Sequence, residues 1–287
     1  MGALHKKGPS NRKTKIQLSW ILAWILGIFW TLVALLPFVF MVLNSFKEKF
    51  EMLTKGVFSL PNSFYTENYI AVLKGNFFRF FFNSVIVLVI SLGILLFISA
   101  CASYPLARFK FKLAQPIYAL IVACMSIPIH ITLIPVFKMS KNLGIYDSIW
   151  ALIGPYVATA IPISVFILTS FMREIPVEIE ESAQIDSCGK YKMFFYMILP
   201  LAKPGMATLA IYNGVNMWNE FSFAYTLTQS TVNRTLPLAV WEFQGQYSMN
   251  TPMIMAVLTL TVIPMILLFI VAQDKLVKGM TAGAVKG

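Results

Sequence analysis

Long apolar stretches separated by short polar segments dominate the hydrophobic pattern of this chain. A helix needs about 20 predominantly apolar residues to cross a bilayer, and six stretches reach or approach that length. Prolines occur in the third, fourth and sixth stretches, where kinked helices are expected. The pattern predicts six membrane-spanning helices, which lie approximately at residues 18–43, 80–104, 116–139, 149–171, 201–227 and 251–273.

Composition agrees with a membrane protein. The 287 residues are 58% hydrophobic and only 12% charged, which lies outside the usual range for soluble domains. The first apolar stretch follows a basic tail, as in a signal peptide, but it is too long for a signal peptide and lacks a convincing cleavage site. We therefore predict an all-α membrane protein in which the first stretch is retained as a span.

The distribution of basic residues predicts the orientation of the spans. The tail at residues 1–17 carries five lysines and arginines and no acid, and the segment after the second span is also basic. Because lysine and arginine concentrate on the cytoplasmic side, the predicted topology is N-in and C-in. The transmembrane domain then covers residues 18–273, and residues 274–287 form a cytoplasmic tail. Topology also explains the net charge of +11 better than nucleic-acid binding does.

One predicted cytoplasmic loop breaks this charge rule. In the acidic loop, residues 172–200 between spans four and five, acidic residues outnumber basic ones. Pro176 suits the start of a helix, and three glutamates follow in the first turn, where carboxylates complement the helix dipole. The pattern predicts a short helix over residues 177–187 that is too polar to be a span. From composition alone, a solvated linker helix is the simpler interpretation.

The spacing within the acidic loop matches a known signature. It resembles the cytoplasmic signature of ATP-binding-cassette importer permeases, which reads E-A-A, three residues, G, nine residues, I, one residue, L-P. Along this sequence the signature falls on Glu181, Ser182, Ala183, Ser187, Met197, Leu199 and Pro200. Ser182, Ser187 and Met197 depart from it, standing for alanine, glycine and isoleucine. The serine at position 187 makes the expected tight exit from the helix less secure.

The resemblance extends over nearly the whole chain. It is most similar to the carbohydrate branch of these permeases, and in particular to maltose-type subunits with six spans. The supporting pieces are SFKEKFE at 45–51, ENYIAVL at 67–73, NSVIV at 83–87, YPLARFKF at 104–111, WNEF at 218–221 and GAVKG at 283–287. Each piece alone is weak, but the ordered set is strong.

This resemblance implies a non-catalytic, multi-pass subunit of the cell membrane that forms half of the translocation pathway of a carbohydrate importer. The implied partners are a second homologous permease subunit, two ATPase subunits and an extracytoplasmic sugar-binding protein. The helix of the acidic loop would be the coupling helix that docks on an ATPase. The residues implied in coupling are Glu178, Glu181, Ser182, Ala183, Asp186, Ser187, Leu199 and Pro200.

The chain has no recognisable nucleotide site or metal site of its own. Gly189-Lys190 is followed by Tyr191, and Gln184 stands where the first glycine of a phosphate-binding loop would be, so that no phosphate cradle is expected there. We therefore expect ATP and magnesium on the partner ATPase and no cofactor on this chain.

The polar residues of the fifth predicted span are candidates for the substrate pathway, because polar groups inside a membrane are costly. They are Asn213, Asn216, Trp218, Asn219 and Glu220. Glu220 could bond sugar hydroxyls and Trp218 could stack on a sugar face. Two alternatives are open: Trp218 as an interfacial anchor with Glu220 paired to a neighbouring subunit or water, and the asparagines as contacts between helices.

The segment at residues 228–250, predicted to be external, is polar and aromatic. By the resemblance it would meet the sugar-binding protein, with Gln244, Gly245 and Gln246 as candidate contacts, whereas the simpler alternative is an ordinary connecting loop.

A secondary transporter driven by an ion gradient is the rival function. Two observations argue against it: few ionisable residues lie in the spans, and no inverted repeat is visible. A secondary transporter would normally have ionisable residues in its spans and an inverted repeat.

Overall fold

The computed structural model describes residues 11–243 and 250–282, and the regular elements within these ranges are all helical. The helices are α1 (Asn11–Ser45), α2 (Lys49–Lys55), α3 (Glu67–Lys74), α4 (Phe77–Arg108), α5 (Ala114–Ala123), α6 (Ile129–Asn142), α7 (Trp150–Glu174), α8 (Glu178–Ile185), α9 (Lys190–Met193), α10 (Leu199–Leu201), α11 (Lys203–Trp218), α12 (Ser222–Leu227) and α13 (Thr251–Ala282). Short 3₁₀ turns lie at Cys124–Ser126, Thr231–Asn233 and Leu236–Phe243, and a π-helical turn lies at Phe194–Ile198.

Four helices are long and apolar enough to cross a membrane. They are the Trp20–Ser45 part of α1, α4, α7 and the Thr251–Val271 part of α13. Two further pairs of helices pass the same test together but are sharply bent. The described chain therefore has four candidate spans, or up to six if each bent pair is one span. Helix α13 also continues beyond residue 273, the predicted boundary of the C-terminal tail.

The bent pairs occupy the third and fifth predicted spans. Ala114–Ser126 and Ile129–Asn142 meet at 98°, and Lys190–Leu201 and Lys203–Trp218 meet at 67°. Pro128 lies at the first break, where it supplies no amide hydrogen and biases the preceding residue away from the helical conformation. The predicted kink of the third span is therefore a full change of direction.

The predicted continuous helix over residues 201–227 is wrong. Helix α11 ends at Trp218, and the chain resumes as α12 only at Ser222. The carboxylate of Glu220 accepts the amide hydrogens of Phe223 and Ala224 at 2.8 and 3.2 Å. Because those are orphan donors at the start of α12, the side chain stabilises a new helix start instead of continuing the old helix.

Within the described residues the chain divides into two compact units, 11–69 with 250–259 and 70–243 with 260–282. The first unit contains a fully buried lysine just after α1. The Nζ atom of Lys47 donates to Oδ1 of Asn44 at 2.9 Å and to the carbonyls of Gly56 and Val57 at 3.3 Å each. Burial lowers the pKa of Lys47, and the nearby Glu51 carboxylate raises it by less.

Parts of two segments that carry the family resemblance, residues 45–51 and 67–69, meet in this first unit. The side-chain amide of Asn68 is buried and donates to the carbonyls of Ser45 and Lys47 at 2.8 and 2.9 Å. Ser45, Lys47 and Asn68 therefore have a structural role, because these bonds hold the chain in position just after α1.

The second unit is built around α4 and α7, which pack against each other more extensively than any other pair. A row of serines on α4 is buried: Ser84, Ser91, Ser99 and Ser103. Small side chains allow helix backbones to approach closely where lipid supplies no hydrophobic driving force between helices. The close packing of α4 on α7 forms the frame on which the acidic loop and the cavity described below are placed.

Candidate functional site

The acidic loop folds into the predicted short helix. Helix α8 carries Glu178, Glu180 and Glu181 in its first turn, where their charge complements the positive end of the helix dipole. Glu180 and Ala183 are buried, whereas the other residues of the helix are exposed or half-buried. The helix therefore has one face that attaches it to the rest of the unit and one face open to a partner.

A buried ion pair attaches α8 to the Arg108 end of α4. Nε of Arg108 lies 2.7 Å from Oε1 of Glu180, and the two side chains are only 7% and 10% exposed. The contact is an ion pair whose angle falls outside hydrogen-bond geometry. The Arg108 guanidinium also donates to the carbonyl of Ile175, between α7 and α8. Removing one partner of such a pair costs about 3–5 kcal/mol, because the other charge stays buried without compensation.

Apolar packing supports the same attachment. Ala183 belongs to a buried cluster with Tyr104 of α4, Met172 of α7 and Phe194 of the π-helical turn. The rings of Tyr104 and Phe194 lie 5.1 Å apart. One cluster thus joins α4, α7, α8 and the helices that lead into α11.

The end of α8 keeps the tight exit despite the serine at position 187. Ser187 has φ of +57°, in the left-handed region that glycine adopts without strain. The amide of Ser187 bonds the carbonyl of Gln184 at 3.0 Å, and the amide of Cys188 bonds the carbonyl of Ala183 at 2.9 Å. These are the two bonds of a Schellman motif, in which glycine is the usual residue at the left-handed position.

The residues predicted for coupling separate into two groups. Those that the structure leaves exposed are Glu178, Glu181, Ser182, Asp186, Ser187 and Pro200, whereas Leu199 is half-buried and Ala183 is buried. Two large apolar side chains, Ile185 and Tyr191, are 83% and 85% exposed beside the acidic residues. Sequence reasoning missed Arg108 and Glu180. The position of Glu180 three residues before Ala183 was the available signal, because residues three apart share one face of a helix.

A cavity of about 620 Å³, here called the membrane cavity, lies among α6, α7, α11 and α12. Its polar lining comes chiefly from Tyr156, Tyr212, Asn213, Asn216 and Glu220, and most of the remaining wall is apolar. Three of the five candidate pathway residues therefore line one cavity, whereas Trp218 and Asn219 do not.

The asparagines of α11 have different surroundings. Asn213 is 2% exposed, and its side-chain amide donates to Oγ of Ser164 on α7 and to the carbonyl of Leu209, both at 3.0 Å. It therefore joins two helices. Asn216 and Asn219 are exposed, and their amides donate to carbonyls one turn earlier in the same helix.

Trp218 and Glu220 both support the framework around the cavity. Trp218 is 4% exposed and packs edge-on to Phe81 of α4, with ring centroids 5.8 Å apart. Glu220 caps α12 and lines the membrane cavity together with Tyr156. The carboxylate is thus already engaged by the protein and faces the cavity from a fixed position.

A network of polar groups holds the segment after α12. The carboxylate of Asp147, in the loop between α6 and α7, accepts the amide hydrogens of Gln229 and Ser230 at 2.8 Å each and the hydroxyl of Ser230. Burial raises the pKa of Asp147, but these bonds and one from Asn233 outweigh it, so that the pKa lies below its ordinary value.

The Phe77 end of α4 holds the same segment. The side-chain amide of Asn83 donates to the carbonyls of Val232 and Arg234 at 3.0 and 2.8 Å. Oγ of Ser84 accepts the backbone amide hydrogen of Leu236 at 2.8 Å. The NSVIV segment therefore positions the chain up to the 3₁₀ turn.

Residues 244–246, our candidates for contact with a binding protein, lie outside the described residues. Among the described residues, no three His, Cys, Asp or Glu side chains are grouped so that they could hold a metal ion.

Comparison with known proteins identifies the family. A family model described as "binding-protein-dependent transport system inner membrane component" matches residues 96–282. The chain belongs to this family. It is therefore a non-catalytic, multi-pass permease subunit of the cell membrane in an ATP-binding-cassette importer, and not a secondary transporter.

Three similar proteins illustrate the relationship. A putative ABC transporter permease of Caldicellulosiruptor sp. (strain Rt8B.4) is 49% identical over 90% of this chain and 94% of its own length. The diacetylchitobiose uptake permease of Streptomyces coelicolor is 33% identical, over 89% of this chain and 85% of its own. The melibiose/raffinose/stachyose import permease of Bacillus subtilis is 32% identical, over 88% and 91%.

Solved structures show the same fold. A chain from the crystal structure of a bacterial ABC transporter involved in the import of the acidic polysaccharide alginate aligns with a TM-score of 0.78 at 20% identity. The alignment covers 94% of this chain and 99% of that chain.

Proposed function

We propose that this chain is one permease subunit of an ATP-driven carbohydrate importer. The named sugars of its relatives, diacetylchitobiose among them, support a carbohydrate substrate. In this proposal each bent pair is one span, six spans run N-in and C-in, and the acidic loop is cytoplasmic. A second homologous permease completes the pathway, two ATPase subunits hold ATP and magnesium, and an extracytoplasmic sugar-binding protein delivers the substrate.

The observation that carries the coupling function is the two-sided character of α8. Its inner face is fastened to α4 by the buried pair of Arg108 and Glu180, and its outer face presents acidic side chains around the exposed Ile185. A basic cleft with an apolar floor on the ATPase would be complementary to that face. Closure of the ATPase pair would then turn α8 and the attached helices as a rigid body.

The membrane cavity is the proposed segment of the substrate pathway. Its walls combine apolar surface with a few polar groups in fixed positions, which is the usual character of a small-molecule site. Asn216 and Tyr212 offer polar groups on the exposed part of the wall, and Glu220 offers the remaining lone pairs of a fixed carboxylate. Asn213 and Trp218 are buried and support the site through their contacts with α7 and α4. Asn219 is outside the cavity lining.

The proposal is tested by reconstituting the chain with its partner subunits and binding protein in lipid vesicles. We expect sugar uptake that requires ATP, and we expect E181A/D186A to weaken ATPase association by about tenfold or more, because hydrogen bonds to charged groups contribute about 1.5–3 kcal/mol each. The matched control is E174Q, an exposed acid at the end of α7, which should retain association.

Two results would contradict the proposal. Uptake that persists without any ATPase would exclude the importer function, and unchanged association of E181A/D186A would exclude the docking role of α8.

A further inference from the structure

A second pocket lies beside the segment after α12. This outer pocket has a volume of about 380 Å³, which is within the range of ligand sites. It is lined chiefly by Tyr146, Tyr225, Gln229, Arg234 and Trp241. Helix α12 borders both cavities: Phe223 lines the membrane cavity, and Tyr225 and Thr226 line the outer pocket. The two cavities share no lining residue.

Stacked aromatic rings form one wall of the outer pocket. Phe221 and Tyr225 stack at 5.6 Å with an interplanar angle of 8°, and Tyr225 and Trp241 stack at 5.1 Å and 28°. Tyr225 is 55% exposed, and Trp241, which ends the stack, is 41% exposed. The stack therefore fixes the orientation of an indole ring and leaves it accessible.

The lining of the same pocket also supplies polar groups. The hydroxyl of Tyr146 lies 3.3 Å from Oε1 of Gln229. The guanidinium of Arg234 has no hydrogen-bond or ion-pair partner among residues 11–243 and 250–282. It offers a planar fork of up to five N–H donors beside the pocket.

The backbone around these side chains is held in place. The amide of Gln229 bonds Asp147 and the carbonyl of Arg234 accepts from Asn83. Pre-organised groups lose less conformational freedom when a ligand binds. A rigid aromatic face and guanidinium donors in the lining of one pocket are complementary to a sugar ring, whose C–H face is apolar and whose hydroxyls lie around the ring edge.

We propose that the outer pocket is a second carbohydrate subsite, which holds one unit of an oligosaccharide outside the membrane cavity. This inference rests on the proposed function of the chain as a carbohydrate importer subunit. Trp241 packs against the face of the sugar unit, and Arg234 and Gln229 bond its hydroxyls. The subsite contributes to selection of longer chains, because a short sugar fills the membrane cavity alone.

The test uses the complete importer in lipid vesicles and the binding protein pre-loaded with maltose- or xylose-based oligosaccharides of two to six units. We expect W241A to raise KM for the longest transported sugar by up to about tenfold, since aromatic contacts contribute about 0.5–1.5 kcal/mol beyond area burial. KM for the shortest sugar and kcat for both should stay unchanged, and W241F should restore most of the loss. The matched control is W150A, an exposed tryptophan at the start of α7 outside the pocket.

R234Q is the second variant, because the Arg234 side chain has no partner among residues 11–243 and 250–282 and its loss should not disturb assembly. It should give the same dependence on sugar length. A KM increase that is equal for all sugars would mean that the binding protein docks in the pocket, and no change in either variant would mean that the pocket holds nothing; both results overturn the proposal. If the wild-type importer moves no sugar at all, the proposed function fails instead.

Discussion

The two ends of α4 attach neighbouring segments by different physical means. At the Arg108 end, one buried ion pair joins α4 to the helix of the acidic loop. At the Phe77 end, Asn83 and Ser84 hold the segment after α12 through several neutral hydrogen bonds. A neutral bond contributes only about 0.5–1.5 kcal/mol, so that the loss of one bond is partial, whereas breaking a buried pair leaves an isolated charge. A single substitution should therefore weaken the attachment of α8 more than it weakens the attachment of the segment after α12.

The largest expected effect comes from breaking the ion pair. R108Q leaves the carboxylate of Glu180 buried without its partner, and we expect a loss of about 3–5 kcal/mol in stability of the attachment. Binding-protein-stimulated ATPase activity and the thermal midpoint of the complex should both fall. K110Q, which removes an exposed charge two residues away, is the control. Equal behaviour of R108Q and K110Q would show that the pair does not hold α8.

A smaller effect is expected from D147N, which keeps the shape and tolerates the left-handed backbone at this position, φ of +56°. The amide replaces charged hydrogen bonds by neutral ones, and we expect a loss of about 1 kcal/mol after allowance for solvent exposure.

The lowered pKa of Asp147 predicts how the difference in stability between wild type and D147N depends on pH. A carboxyl whose folded pKa lies below its unfolded value contributes stability above the unfolded pKa, about 3.9, and loses it as pH falls through the folded pKa. The difference in thermal midpoint between wild type and D147N should be constant near neutral pH and shrink below about pH 4. A difference that grows on acidification would contradict the assignment.

The smallest expected effect is a gain. S187G places glycine at the left-handed end of α8, where a side chain costs about 1 kcal/mol, so that the thermal midpoint should rise slightly. S182G, at an exposed position inside the same helix, should lower it because glycine weakens a helix interior. A fall in both variants would mean that the left-handed backbone at Ser187 is not the source of strain.

The candidate site was predictable where local pattern alone determines structure. The acidic helix was expected over residues 177–187 and lies at Glu178–Ile185, because its acids, proline and spacing act within a few residues of one another. The outer pocket was not foreseen, since Tyr146, Tyr225 and Trp241 are far apart in sequence and meet only in the fold. The predicted role of Glu220 as a free ligand missed its contact with the start of α12, because a single carboxylate gives no sign of which amides it will reach.

By itself, the sequence determined the membrane character of the chain, the position of most apolar helices, the acidic helix and the family. These follow from composition and short-range spacing, because the thickness of the bilayer sets the length of a span and the helix repeat sets which residues share a face. Only the tertiary structure decided that the third and fifth apolar stretches break, that Glu180 meets Arg108 and that Glu220 begins a new helix. The break at Pro128 and the new helix start at Glu220 depend on local backbone geometry that composition does not specify. The pair of Arg108 and Glu180 joins distant parts of the chain, because a buried charge needs a partner.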